Sequence, residues 1–197
     1  IKILFLLGSI PALTKVDPLD LQQQLEEESH RHRDLLQQNF VDAYDNLTLK
    51  TMMGLHWVYA HCPHAAYVMK TDSDMFVNLE VLAKFVLKPE LPSRPDYFTG
   101  CPMNDFLPIC DKNSWYISPE EFPGERYPQC CSGTGYASKS SMSNRSFHPE
   151  RAFSTKVPFS VCKYNNLVTS HQIPPPELRR YWQQLQHDKN STCRCAV

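Results

Sequence analysis

The sequence predicts an α/β fold: a Rossmann-like, mainly parallel sheet flanked by helices. Three observations carry that expectation. The chain opens on a buried-strand run, Ile1-Lys2-Ile3-Leu4-Phe5-Leu6-Leu7, closed by Gly8. A second apolar run, Ala66-Tyr67-Val68-Met69, leads into acidic residues and then a helical pattern. Between the two runs, Leu47, Met52 or Leu55, and Val58 or Tyr59 recur at helical spacing.

Each element has a local reason. A strand is predicted over 1–7, followed by a polar loop with Pro11 and Pro18 and a Gln- and Glu-rich helix over 21–32. Asp34-Leu35-Leu36 to Phe40 suits a short strand. The helix over 46–62 stops at Pro63. A strand over 66–71 is followed by a helix over 78–87 that has Asn78 as N-cap and closes at Pro89. A strand is expected over 96–101. Beyond it proline and glycine dominate, and only one helix is clear, over 176–187, with Leu178, Tyr181, Trp182 and Leu185 on one face. That stripe assigns Trp182 to the core.

Bulk properties bound the function. A chain of 197 residues with 42% hydrophobic content suits one domain, residues 1–197, with a substantial core. A net charge of -1 gives no basic field for nucleic acid and no acidic tail. No window approaches the 18 or so consecutive apolar residues of a membrane span. The chain begins at Ile1 on a strand, without the layout of a signal peptide, and reads as starting inside a fold, incomplete at its N-terminus. Eight scattered cysteines contain no Cys-x-x-Cys pair, which argues against structural zinc. Three sequons, at Asn46, Asn144 and Asn190, join that even cysteine count in favouring the secretory route, with disulfides and glycans.

The stretch that carries chemistry is Lys70-Thr71-Asp72-Ser73-Asp74. Ligands of open α/β sheets bind beyond the carboxyl ends of strands, where Asp72 and Asp74 are expected. If the backbone stays extended there, the two carboxylates point the same way. Two such groups repel unless a cation neutralises them, and oxygen ligands suit Mg²⁺ or Mn²⁺. An EF-hand loop is excluded, because Phe76 and Val77 stand where it needs a polar ligand and glycine. The competing reading makes both aspartates turn and cap residues ahead of the 78–87 helix. Gly133-Thr134-Gly135 either lets a ligand approach the backbone closely, lining a pocket, or makes a tight turn between strands. Trp115, with Tyr116 in a proline-rich loop, offers an aromatic face on which a ligand ring can stack.

Five blocks together resemble the β-1,3-galactosyltransferase family (glycosyltransferase family 31). They are Asn46-Leu47-Thr48-Leu49-Lys50-Thr51, Trp57-Val58, Tyr67 to Asn78, Tyr97-Phe98-Thr99-Gly100 and Cys131-Ser132-Gly133-Thr134-Gly135-Tyr136. Cys162-Lys163-Tyr164 and Thr169-Ser170-His171-Gln172 continue the match. The resemblance implies a GT-A fold, Mn²⁺, and inverting transfer of galactose from UDP-galactose to the 3-hydroxyl of an acceptor sugar of the GlcNAc or GalNAc type. It implies a type II Golgi membrane protein whose catalytic domain is luminal and whose anchor lies outside this chain. It places Lys70, Asp72, Ser73 and Asp74 at the donor, makes Asp74 a direct metal ligand, lets Asp72 contact the metal or the donor ribose, and makes His171 the downstream metal ligand. Without the resemblance, His171 reads as a structural histidine at a strand end. A β-1,3-N-acetylglucosaminyltransferase and a non-catalytic luminal sugar- or nucleotide-binding protein are the alternatives.

Two departures from the family bear on activity. The chain begins after the family's first strand and its arginine-rich stretch ending in Thr-Trp. The family's Glu-Asp-Val-x-x-Gly block, whose aspartate is the expected general base, is also missing. Residues 137–160, where it belongs, hold a single acid, Glu150, in an unrelated context, Phe147-His148-Pro149-Glu150. No catalytic base is therefore assigned, and the chain reads as a truncated or spliced member with impaired turnover.

Overall fold

In a computed structural model, residues 1–10, 17–88, 97–103, 117–128, 130–139, 146–147, 153–154 and 156–188 are described. Trp115, Asn144, Glu150 and Asn190 lie outside them. The chain forms two compact units, Ile1–Ala65 and Ala66–Val197.

In the first unit, β1 (Phe5–Ser9) pairs in parallel with β2 (Leu35–Val41), beginning with Phe5 opposite Leu35. A parallel pair needs a crossover, and α1 (Pro18–His32) supplies it. Asp17 caps α1 by accepting from the Leu19 N–H at 2.9 Å, and Pro18 sits in the first turn, where its missing N–H costs nothing. Arg33 ends the helix in the left-handed region at φ 55°. The helix α2 (Leu47–His61) forms as expected, but it buries Met53, whereas Met52 and Tyr59 face outward. Apolar side chains occur around its whole circumference, so spacing alone did not select the buried face.

Asp42 ties this unit together. Gly8 donates its N–H to Asp42 Oδ2 at 2.9 Å, and the Lys50 ammonium pairs with Oδ1. A Cβ at Gly8 would lie 2.5 Å from the Phe40 carbonyl oxygen, so only glycine lets the two strand ends close. Partial burial alone would push the Asp42 carboxyl up. The Lys50 ammonium and the Gly8 N–H outweigh that and hold it below the usual carboxylate range.

The second unit holds a four-stranded sheet in the order β3-β6-β5-β7. Its strands are β3 (Tyr67–Thr71), β5 (Tyr97–Met103), β6 (Cys130–Lys139) and β7 (Ser146–Phe147). β3 and β5 run the same way, and β5 and β7 are a parallel pair. β6 is inserted between β3 and β5, antiparallel to both, so the expected α/β sheet is mixed at its centre rather than mainly parallel. β6 was not expected as a strand, because its glycines read as a turn. It is long because it pairs on both sides, with Lys70 opposite Tyr136 and Thr99 opposite Ala137. A two-strand ladder, β4 (Phe76–Val77) against β8 (Thr169–Ser170), was likewise too short to show periodicity.

The helix expected over 78–87 starts as α3 (Leu79–Val81) and widens to a π-helical turn, Leu82–Leu87, in which the Lys88 N–H reaches the Ala83 carbonyl at 3.1 Å. Asn78 is the N-cap and more. Its Oδ1 accepts from the Val81 N–H at 3.2 Å, its Nδ2 donates to the Tyr164 carbonyl at 3.0 Å, and its own N–H donates to the Val168 carbonyl at 2.8 Å. This one buried residue thus joins the helix, the segment entering the short ladder and α4 (Val161–Tyr164).

The adjoining core is aromatic. Tyr164 packs edge-on to Phe76 at 4.9 Å and to Phe159 at 5.0 Å, and Phe159 stacks on Tyr181 of α5 (Pro175–His187) at 4.0 Å. Leu185 of α5 is buried, but Trp182 is 38% exposed, which corrects its assignment to the core; its ring only reaches the edge of that cluster, 6.4 Å from Phe76. Cys162 is disulfide-bonded, as expected for an oxidising compartment.

Asn78→Ala removes a cap and strands a buried carbonyl, so it should cost about 2–3 kcal/mol in a denaturant titration. The Asp42 carboxyl is depressed in the folded state. Its stability contribution is therefore present above the unfolded carboxylate pKa, about 3.9, and is lost as pH falls through the lower folded value. Asp42→Asn should lower stability by roughly 1 kcal/mol at neutral pH and flatten the loss of stability below about pH 4 in pH-resolved melts.

Candidate metal and donor site

The end of β3 is built by backbone pairing. Thr71 lies opposite Gly135, and one residue further the Asp72 N–H donates to the Thr134 carbonyl at 3.0 Å. The chain then turns through Ser73 and Asp74 before β4. The backbone is not extended over 72–74, which corrects the premise that placed both carboxylates on one side of a continuing strand. The turn itself does the converging. Asp72 and Asp74 are not caps of the following helix either, because β4 intervenes and Asn78 holds that position.

The partner segment arrives from far along the chain. Phe76 pairs with Ser170, and the Ile173 N–H donates to the Asp74 carbonyl at 3.0 Å. His171 and Gln172 are therefore held between two backbone ties to the 74–76 segment. Gln172 takes a left-handed conformation at φ 59°, unusual for a residue with a side chain, and its Oε1 accepts from Lys156 Nζ at 3.3 Å. His171 Nε2 reaches Asp74 Oδ2 at 3.1 Å.

One ligand atom each from Asp72, Asp74 and His171 lie within 4.8 Å of one another, the one such group among the described residues. Two carboxylates and an imidazole are a donor set that suits Mn²⁺. An octahedral cation about 2.1 Å from its ligands places adjacent ligand atoms about 3 Å apart, the spacing that Asp74 and His171 already have. The residues fit a divalent cation without rearrangement of that pair.

Lys70 and the glycine segment complete the surroundings. Lys70 Nζ pairs with Asp72 Oδ1 and also donates to the Gly133 carbonyl at 2.7 Å. Ser132 Oγ and Thr134 Oγ1 lie 2.9 Å apart in a hydrogen bond. Gly133 is exposed, and a Cβ there would meet nothing within 4 Å, so packing does not require the glycine. A bare backbone at that point leaves room for a ligand to approach closely. Gly135 is buried within β6, and Ser73 is exposed at the tip of the turn.

Asp72 and Asp74 stood out from the sequence pattern and Lys70 and His171 from the resemblance; the structure brings these four together, with the Gly133 carbonyl on Lys70. Neither signal pointed to the backbone ties from Ile173 and Ser170 or the left-handed Gln172. None has a residue-type signature, since left-handed turns ordinarily advertise themselves through glycine or asparagine. Asn46, the described sequon, is partly exposed, with its Nδ2 bonded to the Val41 carbonyl at 2.8 Å.

Comparison with known proteins bears on this geometry. A profile of the galactosyltransferase family matches residues 1–146. The chain belongs to the galactosyltransferase family. Human beta-1,3-galactosyltransferase 2 is 43% identical over 209 residues, covering 90% of this chain and 50% of that protein. Mouse beta-1,3-galactosyltransferase 5 is 38% identical over 225 residues, covering 98% of this chain and 70% of that protein. Mouse beta-1,3-galactosyltransferase 1 is 37% identical over 222 residues, with 98% and 66% covered. The chain spans about half the length of the first of these relatives. The aligned lengths exceed the 197 residues of this galactosyltransferase-family chain, so the relatives carry residues within the matched span that it lacks.

If the Asp72–Asp74–His171 group holds a cation, MnCl₂ should raise the melting midpoint of the chain. Asp74→Asn and His171→Ala should each weaken Mn²⁺ binding at least about tenfold, or 1.4 kcal/mol, by calorimetry.

Proposed function

We propose that this chain is part of the luminal catalytic domain of an inverting β-1,3-galactosyltransferase that uses UDP-galactose as donor and a GlcNAc- or GalNAc-type sugar on a glycoprotein or glycolipid as acceptor. The observation that carries the reading is the convergence of Asp72, Asp74 and His171 beyond β3, beside the open backbone of Gly133, in a galactosyltransferase-family chain. The names of the relatives favour galactose as the transferred sugar.

The residues divide the work in this reading. Asp74 and His171 would hold Mn²⁺, and the ion when bound would supply Lewis-acid stabilisation of the negative charge on the departing UDP. Asp72, fixed by Lys70 and by its own N–H on Thr134, faces the donor. Gly133, Thr134 and Gly135 line the sugar pocket, Ser73 borders the donor, and Trp115 stacks on the acceptor. The Golgi lumen, with a type II anchor outside this chain, is the proposed location. The bonded Cys162 and the Asn46 sequon agree with a secretory compartment. Among the described residues, no helix is long and apolar enough to cross a membrane.

A second reading, nucleotide and metal binding with little turnover, is favoured by one observation. Residues 137–160 lack the family's acidic block, and the family profile stops at residue 146, inside that stretch. Deprotonation of the acceptor hydroxyl by a positioned base contributes about 10²–10⁴-fold in rate. In a radiolabelled UDP-galactose transfer assay, the chain should run at least about 10²-fold slower than a version with the block restored. Equal rates would refute the argument about the base. Absence of any UDP-linked rise in melting midpoint would refute the donor site.

A further inference from the structure

We propose that Lys70 is a positioning residue that divides the labour of the two aspartates: it withdraws Asp72 from the cation and leaves Asp74 and His171 to bind it. The inference rests on the metal-dependent reading above and adds to it a residue whose part there is neither metal ligation nor acid–base chemistry.

The two carboxylates stand in different electrostatic settings. Asp72 Oδ1 is paired with the Lys70 ammonium, and both side chains are partly buried, 35% and 21% exposed. Asp74 is 47% exposed, and its Oδ2 faces an imidazole nitrogen rather than a fixed cation. Lys70 is held on a second side by the Gly133 carbonyl at 2.7 Å, so its ammonium is anchored between β3 and β6. Asp72 is itself anchored through its N–H on Thr134. A cation that used Asp72 Oδ1 would have to displace an ammonium with two oxygen partners, or sit beside it against its charge. Asp74 and His171 impose no such cost, and their 3.1 Å spacing already suits adjacent ligand positions. The Lys70 bridge also joins the carboxylate to the exposed Gly133 of β6, so the segment facing the cation and the segment facing the sugar keep one relative position.

The test separates a positioning role from a general structural one, because the two predict opposite changes in metal affinity. Lys70→Met frees Asp72 as an additional ligand and removes a like charge. Mn²⁺ alone, titrated with loss of the free-ion electron paramagnetic resonance signal, should then bind about fivefold or more tightly. The further tightening of Mn²⁺ by UDP should shrink, because Asp72 is no longer held towards the donor. Lys70→Arg, which keeps the charge, should restore wild-type Mn²⁺ affinity. The double variant Lys70→Met/Asp72→Asn should lose the gain. Unchanged or weaker Mn²⁺ binding in a folded Lys70→Met chain, with Asp74→Asn still abolishing binding, overturns the Lys70 proposal and leaves the metal site standing. Mn²⁺ binding that Asp74→Asn does not affect overturns both. If Lys70→Met fails to fold, Lys70→Gln with the same titration takes its place, under the same criteria.

Discussion

Asp72 and Asp74 share the end of one strand, and the site depends on how their mutual repulsion is met. Like charges about 5 Å apart near a protein surface repel by up to about 3 kcal/mol before solvent screening. Each carboxylate has its own partner: Lys70 for Asp72, and His171 for Asp74. The first partner is permanent and comes from β3 itself. The second comes from about 100 residues away, so the Asp74–His171 contact exists only when the β4–β8 ladder is formed. The fold therefore brings Asp74 and His171, the proposed cation-binding pair, together through tertiary pairing, and fixes Asp72, the proposed donor-side carboxylate, through a local contact.

That dependence explains why Asn78 and the aromatic cluster matter to the chemistry although they touch none of the proposed ligands. Asn78 bonds backbone groups of Val81, Tyr164 and Val168, and Val168 directly precedes β8. Tyr164, with its hydroxyl on the Val157 carbonyl, braces the segment leading into the same strand. Burial pushes the Tyr164 hydroxyl above the usual phenol range. Loosening this cluster would move His171 before it moved Asp72.

The fold was legible where elements are long and patterned. The α1 and α2 helices, β3 and α5 follow from periodicity, caps and prolines, and Asn78 was readable as a cap because its side chain suits one. What was not legible has a common physical cause. β6 contains two glycines and draws its stability from neighbours on both sides, which local propensity does not encode. β4 and β8 are two residues each. Met53 rather than Met52 is buried because tertiary contacts, not the apolar pattern of α2, chose the face. Within the site, Asp72 and Asp74 stood out as an unusual pair after an apolar run, but the means of bringing them together, a turn and a distant strand, did not. His171 entered only through resemblance, since a lone histidine carries no local signal for ligation.

Asp74 and His171, with Asp72 turned aside by Lys70, are the residues proposed to hold a divalent cation for a sugar nucleotide. Anomalous diffraction at the manganese edge, from crystals of the chain grown with MnCl₂ and UDP, tests that assignment most directly. One strong peak is expected in contact with both Asp74 Oδ2 and His171 Nε2, with Lys70 still on Asp72. A peak elsewhere, or none with UDP bound, would contradict it.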